Sequence, residues 1–417
     1  MSAGLSSPDL GRIEEDLKAL ATFREASAPG WTRPVFSAVD RDARLWVAEQ
    51  MRAAGMEVSS DAAANLVGRL RGSGAPGAVV TGSHTDTVPG GGRFDGVIGV
   101  LGAIEAVRCL RATGMQLEHD LVVIDFLGEE PNDFGLSCVG SRAIAGTLSR
   151  EHLALLGPKE HSLAHELETT GGDPDAIAGV AWPLGSVHCF VELHIEQGPR
   201  LELAGVPIGV VTGIAGIHRL VASFSGRPDH AGTTPMEARR DALLGAAEAS
   251  LLIEKLAEGS VATAGRLDVH PGANNVVPAE AELWAEARSA DESWLEEFGR
   301  QLEAGMSGIG ERRRLGASLR WPSREAPVLV TDWVADALVD TAGHFGVEAL
   351  RIPSGAGHDA AQMANLGPMG MIFVPSRDGR SHCPEEWTDL EQIGQGVAVL
   401  AEALRQLDAT PPGGRAG

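Results

Sequence analysis

Tyrosine is absent from this 417-residue chain and aromatic residues make up 4% of it, so a core has to rest on Val, Leu, Ile and Ala. Basic residues are also short: 34 Lys and Arg stand against 57 Asp and Glu, a formal charge of −23. That balance excludes nucleic acid and anionic membrane as expected partners, because both need a basic face. No stretch of eighteen apolar residues occurs, so no segment is expected to span a membrane. Met1 to Glu15 carries acids and no apolar h-region, so no secretory signal is expected. Cysteine is scarce. Cys109, Cys138, Cys189 and Cys383 are scattered without CxxC spacing, which fits free thiols rather than a disulfide framework. The expected location is the reducing cytoplasm.

What remains is ordinary for a globular chain, 43% hydrophobic and 22% charged, at a length that suits two domains. Residues 10–27 and 38–54 place apolar side chains three and four apart, such as Leu45, Val47, Ala48 and Met51, which predicts amphipathic helices. Strand-like runs at 78–83 and 120–127 flank a helical pattern at 98–112, a βαβ rhythm that implies parallel strands. Cys189 to Glu196 reads as another strand, with polar groups at its end. From about 213 the texture changes to alternating strands, 217–224 and 275–288, with helices near 235–256 and 291–306. Alternation predicts a sheet with one open face. From Pro327 the α/β texture returns, with a helix over 331–345 and strands at 348–352 and 369–374. The expected fold is α/β, with a large domain from 1–212 and 327–417 and a smaller α+β domain inserted at 213–326. The Pro- and Gly-rich tail from Ala409 is expected to be unstructured.

Chemistry concentrates where strands meet turns. Gly82 to Gly96 holds His84, Asp86 and Asp95 among glycines, after an apolar run and before a helical pattern. Open α/β sheets bind ligands at such strand ends, and glycine lets the chain turn back sharply. Glu129-Glu130, His194 and His382 occupy comparable positions. Each has a plain reading alone, Asp95 as an Asx-turn and the glutamate pair as a solvated loop. Together, three imidazoles and two carboxylates, one of them shared, would serve two zinc ions. Paired ions in hydrolases clamp a carbonyl oxygen and lower the pKa of a bridging water. Neighbours on extended backbone point apart, so one glutamate can bind metal while the other faces the water as general base. Asp86 is spaced to orient the His84 ring. Cys383 reads as a small buried residue, and Gly72 to Gly77, without the Gly-Lys-Ser/Thr ending of a phosphate loop, as a turn.

Seven stretches carry a resemblance: GSHTDTVPGGGRFDG (82–96), FLGEEPNDFGLSCVGSR (126–142), ELHIEQGPRLE (192–202), FSGRPDHAGTTPM (224–236), NNVVP (274–278), SGAGHDAAQMA (354–364) and GRSHCPEE (379–386). Their content and order resemble the hydantoinase/carbamoylase amidases, within the wider group of dizinc aminopeptidases and deacylases. The resemblance implies a dizinc catalytic domain carrying an inserted lid and dimerisation domain. His84, Asp95 and His194 would hold one ion, and Asp95 would bridge to a second held by Glu130 and His382. Glu129 would be the base. His230 would polarise the scissile carbonyl, reaching the partner's site in a homodimer, and Asn275 would help bind the oxygen or the substrate carboxylate. Arg288 would pair with that carboxylate, while Gln197 and His218 would line the pocket and the Gly355 and Gly357 backbone would approach the substrate. Two divalent ions are implied, zinc or else manganese, cobalt or nickel.

Two departures stand out. The run Trp284 to Arg288 lacks the Asp-x-Arg frequent in relatives, and Pro131-Asn132-Asp133 puts an acid where many have a basic residue. The implied reaction is hydrolysis of a linear C–N amide in a small ureido acid, foremost an N-carbamoyl-L-amino acid. Allantoate and 3-ureidopropionate are the rivals within the family. A dizinc deacylase or exopeptidase is the rival outside it, and a non-catalytic binding module would be expected to have lost ligands.

Overall fold

The computed structural model describes residues 6–158 and 160–411, so most of the tail beyond Ala409 lies outside the described residues. Contacts divide the chain into two units. One comprises Met1–Thr212, Val330–Ile352 and His358–Gly417, and the other Gly213–Leu329 with Pro353–Gly357. The second crossing thus falls at 330 rather than 327, and Pro353–Gly357, read from sequence as part of the large domain, belongs with the small one.

The strands in chain order are β1 (Glu57–Ser60), β2 (Leu66–Leu70), β3 (Ala78–His84), β4 (Asp120–Phe126), β5 (Val187–Ile195), β6 (Ile208–Ile214), β7 (Gly216–Ser225), β8 (Val261–His270), β9 (Glu280–Ser289), β10 (Gly316–Glu325), β11 (Val328–Leu329), β12 (Ala349–Ser354) and β13 (Met369–Val374). The large unit is built on a mixed sheet in the spatial order β1-β2-β4-β3-β5-β13-β6. Its centre, β4-β3-β5-β13, is parallel throughout. Every residue of β3, β5 and β13 is buried, as expected of parallel strands covered on both faces.

The helices Val97–Ala112 and Leu390–Asp408 pack together and cover β3 and β5. Gly99 lets the first lie that close: a Cβ there would stand 2.4 Å from the Leu193 carbonyl oxygen. Shared alignment brings the carboxyl ends of four adjacent strands to one edge, and that edge carries the chemistry.

The first helix, expected over 10–27, ends at Leu20. The cause lies further along the chain, in Arg33, whose side chain is fully buried. Its Nη1 donates to the carbonyls of Leu20 (3.2 Å) and Phe23 (2.7 Å), and its Nε to that of Thr85 (2.7 Å). A guanidinium fork satisfies carbonyls that another helical turn would have used, and pins the helix end to the loop after β3.

In the small unit, β10-β7-β9-β8 form an antiparallel sheet. Leu220, Ala222 and Phe224 of β7, with Ala281, Leu283, Ala285 and Ala287 of β9, face a core completed by helices Ala242–Leu256 and Glu292–Arg313. The strands read from alternation are β7 and β9. The edge strands β8 and β10 bury little and show no such signal. Cys109, Cys138 and Cys189 are buried free thiols, while Cys383, expected to be buried, is partly exposed because it lies in a surface loop.

Replacing Arg33 with Met removes the guanidinium donor from the carbonyls of Thr85 and Phe23, and leaves that of Leu20 with only the Phe23 N–H. Arg33→Met is expected to lower the unfolding free energy by about 3 kcal/mol in urea titration, and a loss under about 1 kcal/mol would contradict this role.

Candidate metal centre

His84 is the last residue of β3, and Glu129-Glu130 follow β4 within three or four residues. His194 is the penultimate residue of β5, and His382 lies in the loop after β13. Asp95 ends the loop from β3 and meets the start of the helix at Val97. Parallel order therefore gathers residues nearly 300 positions apart in the chain at one edge of the sheet.

Two donor groups share Asp95, His84 with Asp95 and His194, and Asp95 with Glu130 and His382, while a third joins Glu192, His194 and His358; the ligand atoms of each lie within 4.8 Å of one another. Asp95 Oδ1 lies 3.1 Å from His194 Nε2 and its Oδ2 3.0 Å from His382 Nε2. Glu130 Oε1 stands 3.3 Å from the same His382 nitrogen. Glu129 belongs to none of these groups, and its Oε2 lies 3.6 Å from His84 Nε2. The imidazoles are fixed from behind: His84 Nδ1 meets the Asp86 carbonyl at 3.0 Å, and His194 Nδ1 meets that of Ile195 at 2.9 Å. Each Nδ1–H therefore donates to backbone and leaves Nε2 with its lone pair toward the centre.

The carboxylate of Asp86 does more than the spacing suggested. Its Oδ1 is 3.5 Å from His84 Nδ1, further than its own carbonyl oxygen. It accepts instead from the backbone N–H of Glu129 and of Glu130, both at 3.3 Å. One buried carboxylate thus holds the turn that presents both glutamates. Gly96 (φ 66°) fits beside this because a Cβ would lie 2.4 Å from His84 Nε2.

Glu386, Glu192 and Asp359 were not singled out from sequence, although they lie inside the matching stretches. Glu386 accepts from the N–H of Phe94 (2.8 Å) and Asp95 (3.2 Å) and from Ser381 Oγ, which also donates to Asp95 Oδ2. Glu192, on the same face of β5 as His194, accepts from Ser83 Oγ and the Ala360 N–H. Their available signal was period-two spacing along β5 and a glutamate four residues past His382. His358, also unremarked, stacks edge-on against His194 at 4.6 Å, and burial holds it well below its usual pKa, hence neutral.

Electrostatics fit cations. Burial first, then the neighbouring carboxylates, pushes Glu129 well above the usual carboxylate range and Glu130 to about 7. Burial opposes charge on His84 and His194, yet Glu129 and Asp86 raise the first and Asp95 raises the second. The Asp95 hydrogen bond carries His382 to about 9. Such a donor set, imidazole nitrogen with carboxylate oxygen, matches zinc-type ions, and the field that retains protons here favours a divalent cation in their place.

Gln197 (φ 57°) joins this group: its Nε2 donates to Asp95 Oδ2 at 2.8 Å, while its buried Oε1 has no partner among the described residues. The other expected substrate residues lie in the small unit. His230 is exposed and bridges to Val276, with the Ala231 N–H donating to the Asn275 carbonyl, so His230 and Asn275 are neighbours. Arg288 pairs with Glu286 at 2.8 Å and donates to the Gly355 carbonyl at 3.1 Å. Gly357 belongs to the same short segment as Gly355. His218 departs from expectation. It pairs with Ala287 in register and shares that residue's helix-covered face, against Trp321, whereas Arg288 is on the open face. The period-two pleat keeps His218 and Arg288 from meeting one ligand.

Two imidazole–carboxylate groups joined through one aspartate, at the carboxyl ends of a parallel sheet, form a candidate centre for a metal-dependent hydrolase. The chain belongs to peptidase family M20/M25/M40, whose profile it matches over residues 80–406, and within that family to amide-hydrolysing enzymes of the hydantoinase/carbamoylase type. It is 38% identical over 400 residues to an N-carbamoyl-L-amino acid amidohydrolase of Geobacillus stearothermophilus, covering 95% of this chain and 98% of the relative. It is also 38% identical over 419 residues to a ureidoglycolate hydrolase of Oryza sativa, covering 97% and 87%. A solved hydantoinase/carbamoylase family amidase of Burkholderia multivorans superposes with a TM-score of 0.88 at 33% identity, over 97% of this chain and 99% of that one. Among the described residues no helix is long and apolar enough to cross a membrane.

Because imidazoles raised by carboxylates must lose protons to bind an ion, loading the metal-free protein with Zn²⁺ near pH 7.5 should release protons, read by calorimetry in buffers of different ionisation enthalpy. Affinity should fall as pH drops through about 9, where His382 gains its proton. Proton-neutral binding would contradict this electrostatic account.

Proposed function

We propose that the protein hydrolyses the ureido group of an N-carbamoyl-L-amino acid, giving the amino acid, carbon dioxide and ammonia. The observation that carries this reading is Asp95, with one oxygen toward each donor group while Glu129 stands outside both. Likeness to an N-carbamoyl-L-amino acid amidohydrolase favours this substrate. Allantoate and 3-ureidopropionate present the same ureido chemistry and form the alternative, which ureidoglycolate joins through the equally similar hydrolase of that name.

In this reading His84, Asp95 and His194 hold one divalent ion, and Asp95, Glu130 and His382 a second. Bound there, such ions polarise a carbonyl oxygen and make water more acidic. Glu129 takes a proton from the attacking water onto its carboxylate and delivers it to the leaving nitrogen. Asp86, holding both glutamate N–H groups, keeps that carboxylate aimed. Gln197 Oε1, buried without a partner among the described residues, accepts from the ureido N–H.

We assign His230, with Asn275 beside it, to the developing oxyanion in the partner's site of a homodimer. One such donor contributes about 3–4 kcal/mol. Arg288 takes the substrate carboxylate in place of Glu286, against the backbone of Gly355 and Gly357. His218, on the covered face of its sheet, takes no part.

Carbamoyl, formyl and acetyl amino acids, allantoate, ureidoglycolate and dipeptides offered to the zinc- or manganese-loaded enzyme should give ammonia fastest from N-carbamoyl-L-amino acids. Ammonia from no ureido compound, with amine from acetyl amino acids or dipeptides, would establish the deacylase or peptidase reading instead. Glu129→Gln should cut kcat at least a thousandfold while metal content, measured by plasma emission, stays near that of the parent. Retained turnover would remove Glu129 as the base. Demonstrated heterodimers of the inactive His230→Ala and His382→Ala variants should restore up to half of parental activity, since one of their two sites is intact, and no recovery would contradict a site shared between subunits.

A further inference from the structure

A cavity of about 380 Å³ lies wholly in the large unit and includes Glu130 and Asp86 in its wall, so it opens onto the candidate metal centre. Nothing above uses the rest of it. Its wall includes apolar groups, Pro34, Val35 and the edge-to-face ring pair Phe36 and Phe134, 6.0 Å between centroids. It also includes the acids Glu25, Asp133 and Glu166. Among the described residues the wall contains no Lys or Arg, and its one imidazole, His161, is already paired with Glu166 at 3.3 Å. The carboxylates of Glu25 and Asp133 make no ion pair among the described residues.

We propose that this cavity is the side-chain subsite and that it selects substrates whose side chain is an aliphatic stem ending in a cation, such as the amine of lysine or the guanidine of arginine. The inference rests on the ureido-acid reading above and narrows it. The stem lies along Pro34, Val35 and the two rings, as long basic side chains lie on apolar surface with the charge kept at the polar end. The charged head reaches Glu25 and Asp133, within range of the ring faces. The same carboxylates repel an acidic side chain. An apolar wall alone would favour an uncharged chain, and an acidic wall alone would favour a small cation. Both together fit the amphipathic one.

The test compares N-carbamoyl-L-lysine with its uncharged isostere, N-carbamoyl-L-2-aminoheptanoate, and with N-carbamoyl-L-glutamate, on the metal-loaded full chain. The lysine compound should exceed the isostere about tenfold in kcat/KM, with the glutamate compound lowest. Asp133→Asn should shrink the lysine-to-isostere ratio three- to fivefold, as expected for a partly exposed charge pair of about 1 kcal/mol. Adding Glu25→Gln should bring the ratio near one while the isostere's own rate changes less than twofold. A second readout needs no turnover: calorimetric binding of the products lysine and 2-aminoheptanoate should show the same preference and the same dependence on Asp133. Turnover of all three compounds with a ratio that both variants leave unmoved would overturn the subsite and spare the ureido reading. Charge-dependent lysine binding with no turnover of any carbamoyl compound would overturn the ureido reading and uphold the subsite.

Discussion

The arrangement depends on one buried aspartate with two imidazole neighbours. Asp95 is 4% exposed, and an isolated carboxylate at that depth would be expelled or protonated. It stays ionised, well below its usual range against the pull of burial, because the His194 and His382 imidazoles stand 3.1 and 3.0 Å from different oxygens. Those contacts divide the surroundings into two donor groups that share a member. Beside them, burial and the neighbouring carboxylates push Glu129 and Glu130 upward.

The scaffold serves this constraint by geometry rather than by loop design. Four adjacent parallel strands deliver His84, the Glu129-Glu130 turn, His194 and the loop to His382 at one level. Loops must then fold back without obstructing the rings, which is the task of Gly96, and be held, which falls to Glu386 on the Asp95 backbone and Asp86 on the glutamates. Arg33 extends the support outward by tying Thr85 to the end of the first helix. The centre is therefore stiff in the backbone, which suits chemistry that needs a base and an attacked carbonyl in fixed relation.

The parts legible in sequence were those whose signal is local. Buried parallel strands announce themselves as apolar runs, β7 and β9 as alternation, and the candidate ligand residues as polar groups at strand ends. The supports were not legible, because their partners are distant in sequence: Glu386 acts on residues 94 and 95, and Arg33 on residues 20, 23 and 85. Edge strands β8 and β10 escaped because they bury little, only partly covering Ala262, Ala264, Leu319 and Trp321 against the core. His218 was misplaced for a similar reason: a polar residue in an alternating strand does not declare which face is covered until its partner strand is known. The motif resemblance named the chemistry, but the separate task of Asp86 emerged only from the hydrogen bonds.

The central claim is that Asp95 joins two ion sites. It is tested most directly by anomalous diffraction at the zinc edge from crystals of the zinc-loaded protein. The account predicts two peaks about 3.5–4 Å apart, one among His84, Asp95 and His194 and the other among Asp95, Glu130 and His382. A single peak, or two that Asp95 does not join, would contradict it.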